Sequence, residues 1–442
     1  MTNTVINTIR ERIGALKPEM EIYPGLWTVF EKCFMNTLET TVQAQQPGDT
    51  FVITGDIPAM WLRDSTAQVL HYLRFADDEN VATLIEGLIA RQAKNVLLDP
   101  YANAYNREPN DFKPYDDTPR ASDWVWERKY EIDSLCHAVL LAWRFYEKTG
   151  RTGFMTEMFA ESLRTIVDVF RTEQNHDEST YRFQRTNCPP SDTLVNDGKG
   201  APVKVTGMTW SGFRPSDDAC MYGYLVPANL FAAQELGHVA KFAEIMGDEE
   251  LKAEAEEVKA GIEKGIEEYA KVQHPEFGEI YAFETDGYGN YNLMDDANVP
   301  SLLALPYLGI CEKDDALYLR TRQFVLSKEN PYYYEGACAK GVGSPHTPKG
   351  YVWPIGLCVQ GMTSTSTDEI AQIVDTLMHT HAGCECMHES FDPDAPEHFT
   401  REWFAWANSM FGELMYRTYE SGKLAEVLNK ALTVSAANSC RA

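Results

Sequence analysis

GDIPAMWLRDSTAQV, residues 55–69, follows a strand-like run, TFVITGD (50–56), and passes straight into helical periodicity. An irregular entry leads into an apolar-periodic helix, and the chemistry sits where one becomes the other. Arg63 offers a planar fork of N–H donors, Asp64 accepts from hydroxyls, and Trp61 presents a flat apolar face. Those three groups suit the grip of a sugar ring. The plainer alternative is a buried Arg–Asp pair tying a loop to the core, since buried charges usually come paired.

The same pattern recurs along the chain. Apolar residues at three- and four-residue spacing predict helices near 26–45, 64–76, 79–98, 130–148, 153–173, 218–236, 237–247, 249–272, 298–308, 313–326, 351–363, 367–380, 402–418 and 422–433. Between them run long segments rich in Gly, Pro, Asp and aromatic residues: 101–129, 175–216, 274–297, 328–350 and 381–401. Loops of that length are usually functional. The stretch 248–265, DEELKAEAEEVKAGIEKG, reads as a solvated outer helix. No Ser/Gly linker divides the chain, so 1–442 is read as one domain. Antiparallel helix pairs in a ring, with the loops at one mouth, make an all-α (α/α)6 barrel the expected fold. A helical solenoid is the alternative, weakened by the lack of a fixed sequence period.

In GMTWSGFRPSDDACMYGYLVPAN (207–229), Pro215 and Ser216 suggest a helix start, with Asp217 and Asp218 in its first turn. Most such aspartates only decorate a helix end. Two adjacent carboxylates can also raise one pKa and make an acid, although a helix dipole opposes that rise. A second cluster, MHESFDPDAPEHFTREWFAWANSMF (387–411), places Glu389 among semi-buried neighbours, as a base requires, before a helix expected from Glu402. Two carboxyl groups are what glycoside hydrolysis needs. Other helix-entry stretches read as walls of the same mouth: YANAYNR (101–107), WERKYEIDS (126–134), ETDGYGNYNLMDDAN (284–298) and SPHTPKGYVWPIG (344–356).

Other chemistries find less support. His379, His381, Cys384, Cys386 and His388 crowd ten residues, but their spacing matches neither a zinc site nor HExxH. No EF-hand or phosphate loop is present, and no metal or other cofactor is expected. A net charge of −27, from 39 basic and 66 acidic residues, disfavours nucleic acid and anionic membrane as partners. No apolar run of membrane-spanning length occurs and no secretory signal is read at the N-terminus. Ten scattered Cys favour reduced thiols and a cytoplasmic location.

The sequence resembles glycoside hydrolase family 125, the exo-α-1,6-mannosidases. The stretches that carry it are TFVITGDIPAMWLRDSTAQV (50–69), DPYANAYN (99–106), WERKYEIDS, GMTWSGFRPSDDA (207–219), DGYGN and MDDANVPSLL (286–303), HESFD (388–392) and EWFAWAN (402–408). The resemblance implies an (α/α)6 barrel, removal of terminal α-1,6-linked mannose from oligosaccharides or N-glycan fragments, inversion, and no metal. It puts the general acid at Asp218, with Asp217 as alternative, and the base at Glu389, with Glu402 as fallback. Trp61, Arg63, Asp64, Asn106, Asp133, Arg214, Asp217, Asp296, Asn298, His346 and Tyr351 are the expected substrate contacts, with His346 and Tyr351 toward the leaving sugar. GCEC (383–386) departs from the small or hydroxylated residues expected there. A sugar epimerase and an inactive glycan-binding protein are the competing functions; an assay for free mannose release separates the first from a hydrolase, and titration calorimetry showing binding without turnover would support the second. A monomer or a dimer is expected.

Overall fold

The computed structural model describes residues 2–46 and 48–437. Twelve of the described helices alternate between an outer and an inner position. The outer ones are α1 (Leu26–Asn36), α3 (Glu79–Leu98), α5 (Glu157–Glu173), α7 (Glu249–Tyr269), α9 (Ala316–Val325) and α11 (Thr367–His379). The inner ones are α2 (Leu62–Leu70), α4 (Ile132–Thr149), α6 (Val226–Met246), α8 (Leu305–Leu308), α10 (Pro354–Thr363) and α12 (Ala405–Glu420). Inner helices pack on one another: α2 on α4, α4 on α6, α8 on α10, α10 on α12. Because α12 packs back on α2, the ring closes, which a solenoid would not do.

Burial follows position. Nearly every residue of α10 is buried, whereas α7 buries the stripe Leu251, Ala255, Val258, Ile262 and Ile266 and leaves its charges in water. One continuous apolar core runs from Val5 to Ala431. The helices Thr2–Ile13 and Leu424–Ala437 flank the ring.

The connections are unequal, and that asymmetry positions the site. Inner-to-outer links are short (71–78, 150–156, 247–248, 309–315, 364–366), while outer-to-inner links are long (37–61, 99–131, 174–225, 270–304, 326–353, 380–404). All long links therefore arrive at the N-terminal ends of inner helices, on one face of the barrel. Capping shows the same division. Five outer helices are capped by a side chain, Asp78, Thr156, Asp248, Asp315 and Ser366, which satisfies otherwise unpaired N–H groups. The inner helices start without a side-chain cap, after Trp61, Glu131, Leu225, Ala304, Trp353 and Phe404. Their N-terminal dipole ends favour negative charge at the mouth.

Four local expectations change. The helix expected over 26–45 ends at Asn36, and the β-branched run that follows makes a π-turn and then the strand Val42–Gln46, paired with Asp49–Val52. The segments 218–236 and 237–247 merge into α6, which tolerates Gly237 and starts with Pro227 in its first turn. The one expected over 298–308 shrinks to Leu305–Leu308, after Pro300. Eight described cysteines are free, as a reduced chain requires, but Cys338 is disulfide-bonded.

Candidate active site

Five of the six long links converge on one cavity. Thr54 and Ile57 come from the first link, Pro215 to Asp217 from the third, Asn298 from the fourth, His346 and Trp353 from the fifth, and Glu389, Arg401 and Phe404 from the sixth. Trp61, Arg63 and Asp64, at the start of α2, and Trp406 in the first turn of α12 complete the wall. The indole N–H groups of Trp61 and Trp406 are buried without a hydrogen-bond partner, as is Nε of Arg63. Such donors on a cavity wall fit hydroxyl ligands.

Arg63 is the hub of the site. Nη1 donates to Glu131 at 2.6 Å and to Asp133 at 3.1 Å, and Nη2 donates to Asp217 at 3.1 Å. Its guanidinium lies 5.6 Å from the Trp406 ring centroid. Its Nη donors thus serve three carboxylates, which leaves Nε as the donor without a hydrogen-bond partner. Asp64 stays available beside it, 3.5 Å from Nε, and burial pushes its carboxyl up to about 6. Burial also pushes Glu131 up. Desolvation also pushes the half-buried Asp217 up, but Arg63 and Lys129 outweigh that and hold it well below the usual carboxylate range.

The SDDA segment is not a helix start. Phe213 and Ala219 pair across a tight turn in which Arg214 N donates to Asp218 O at 2.8 Å and Asp217 N donates to Arg214 O at 2.9 Å. The two aspartates diverge. Asp217, at φ +66°, faces Arg63 and also accepts from Asn103 at 3.3 Å. Asp218 accepts from Ser216 at 3.2 Å and lies 3.4 Å from Nδ1 of His346, a residue of the cavity wall. Positive φ in a non-glycine residue is strain that accumulates at functional sites. Burial alone would lower His346, but the bond and charge of Asp218 outweigh it and raise it to about 9. The unfolded value is 6.5, so this contact stabilises the fold fully below about pH 6.5 and is lost as pH rises through about 9. Melting temperature should therefore fall between those pH values in wild type and flatten over that window in His346→Gln.

On the facing wall, Glu389 precedes the strand Ser390–Phe391, paired with Phe399–Thr400. Glu402, the fallback base, is exposed and outside the cavity, and α12 begins only at Ala405. Several expected contacts lie elsewhere. Asn106 is spent on the Asp123 carbonyl at 2.9 Å, Asp133 sits beneath Arg63, and Arg214 pairs with Glu284 at 2.6 Å. Asp296 accepts from Asn298 at 2.8 Å and from Ser344 at 3.0 Å, orienting Asn298 at the wall. Tyr351 lines a separate groove with Tyr333 and Tyr334. Glu131 as a hub ligand, Arg401 and the roles of Phe404 and Trp406 were not read from sequence. A signal existed for Glu131, two residues before Asp133, but none for Arg401. In the His/Cys cluster, His388 Nδ1 bonds the Glu402 carbonyl at 2.6 Å and stacks on Phe399. Among the described residues no group of three or more His, Cys, Asp or Glu could hold a metal ion.

A closed helical ring whose mouth gathers carboxylates, indoles and unspent donors around one cavity defines a glycoside hydrolase. The chain belongs to the family of metal-independent α-mannosidases (GH125), whose model matches residues 24–416. It is 39% identical over 433 residues to the meiotically up-regulated gene 157 protein of Schizosaccharomyces pombe, covering 92% of this chain and 85% of that one. A solved metal-independent α-mannosidase from Streptococcus pneumoniae, in a non-productive complex with α-1,6-mannobiose, is 45% identical with a TM-score of 0.90. That match covers 95% of this chain and 98% of the other. A bacterial glucoamylase complexed with acarbose shares the fold alone, at 12% identity and a TM-score of 0.54, covering 92% of this chain and 57% of that one.

Proposed function

We propose that this α-mannosidase removes non-reducing terminal α-1,6-linked mannose from oligosaccharides or N-glycan fragments, with inversion, on a single (α/α)6 catalytic domain. The observation that carries this reading is the wall itself: Arg63 and Asp64 form its polar floor, while Glu389 and His346, which bonds Asp218, enter on different long links. A chain could not continue through the Arg63 carboxylate cluster, so only a terminal sugar fits, as exo action requires. The mannobiose in the S. pneumoniae relative supports the linkage.

In this reading Glu389 takes a proton from a water, whose oxygen attacks the anomeric carbon from the face opposite the leaving sugar. Asp218 gives a proton to the departing oxygen and the glycosidic bond breaks; in inverting enzymes the two carboxyls lie about 6.5–9.5 Å apart to admit the water. In this reading His346, 3.4 Å from Asp218, fixes the orientation of that carboxyl. Asp64 and the Trp61 and Trp406 N–H groups hold hydroxyls.

The test is a panel of α-1,2-, α-1,3- and α-1,6-linked mannobiose, with and without exhaustive chelation. Free mannose should come from the α-1,6 isomer at a rate EDTA leaves unchanged. Preference for another linkage, or loss restored by a stoichiometric divalent ion, would overturn the reading.

A further inference from the structure

Arg401 stands in an unusual backbone conformation for its residue type, at φ +39°, on the link that carries Glu389. Strain of that kind persists only where the surroundings hold it. Three anchors do so here. Nη1 donates to Oε1 of Glu389 at 3.3 Å, Nε donates to Asp56 at 3.1 Å while Nη2 bonds the other oxygen of that carboxylate, and the guanidinium lies 4.5 Å from the Phe404 ring centroid. Asp56 belongs to the first long link, whose Thr54 and Ile57 form the opposite lip of the cavity. The lips also meet where Trp403 covers Gly55, at φ +131°; a Cβ there would stand 3.4 Å from the indole. Trp403 is itself fixed by donating from Nε1 to Asn36 at 2.8 Å.

Glu389 is thus held by one oxygen. Oε1 is taken by Arg401, whereas Oε2 has no protein partner among the described residues and is not sealed from solvent. A base that activates water needs that division: one oxygen fixed so that the other keeps its aim. We propose that Arg401 is the positioning residue of the general base, clamping Glu389 to Asp56 across the two lips of the cavity so that Oε2 alone addresses the attacking water.

This rests on the reading of Glu389 as base, and the experiment separates the two. Steady-state kinetics on α-1,6-mannobiose are measured for Arg401→Gln, Arg401→Lys, Asp56→Asn and Glu389→Gln, with melting temperatures and with added guanidinium ion at non-denaturing concentration. Misplacing a reacting group by about 1 Å can cost roughly 10²-fold. Arg401→Gln should lose on that order in kcat with KM within a few-fold of wild type, and guanidinium should restore part of it. Arg401→Lys keeps the charge but not the fork, so it should fall between. Asp56→Asn should show a smaller loss, also in kcat. The proposal is overturned if Arg401→Gln keeps wild-type kcat, loses only through KM, or loses kcat in proportion to melting temperature without guanidinium rescue. An active Glu389→Gln would remove the base itself, whatever the Arg401 variants do.

Discussion

Glu389→Gln should fold with an unchanged melting temperature and lose roughly 10²–10⁴-fold or more in kcat, the contribution of a positioned acid or base. The amide keeps the shape and the Arg401 contact of the carboxylate but cannot take a proton from water. Asp218→Asn should lose a comparable factor. Its loss should be least on a substrate with an activated aryl leaving group, which departs without protonation. Asp217→Asn is the control for the neighbouring assignment. Asp217 touches Arg63 and Asn103, so its variant should weaken the floor and raise KM. If Asp217→Asn alone abolished turnover on mannobiose yet spared the activated substrate, the acid would move by one residue. Rates and melts on these three variants decide between the assignments.

Arg63→Met should give the largest combined effect. Four carboxylates, Asp64, Glu131, Asp133 and Asp217, lie within ion-pair distance of this one side chain, which is 3% exposed. Removing one partner of a buried pair costs about 3–5 kcal/mol, because the charges left behind are uncompensated. Here the stranded groups can relieve themselves by taking up protons, so the deficit should shrink as pH falls from 7 toward 5. Chemical denaturation at the two pH values measures this. Activity should be lost together with stability, since the cavity floor and the turn that carries Asp218 both hang on Asp217. A variant of near wild-type stability at pH 7 would show that Arg63 is not the hub.

Most of the ring was legible because helical periodicity survives in outer helices, which bury one face; 79–98 is matched residue for residue by α3. Inner helices were harder. Buried on nearly all sides, α10 carries little amphipathic contrast, and its start was read at 351 instead of Pro354. The SDDA turn was misread as a helix entry because Pro, Ser and Asp serve tight turns as readily as first helical turns. That error mattered, since it brought a helix dipole to bear on Asp217 and Asp218 that does not act there. Residues of the floor were found through charge adjacency, as in Trp61–Asp64. Contacts such as Arg401 to Asp56 join positions 345 apart in sequence and leave no local mark. Asn106, Arg214 and Asp296 looked like ligand contacts for the reason buried polar groups often do: each is satisfied, but by the protein.

The stereochemistry of the first-formed product tests the account most directly. Two carboxyls that flank a water require inversion, so proton NMR of a fresh digest of α-1,6-mannobiose should show β-mannose first, with the α-anomer growing in only by mutarotation. An initial α-anomer would mean retention through a covalent intermediate, and Glu389 could then not be the base that Arg401 holds.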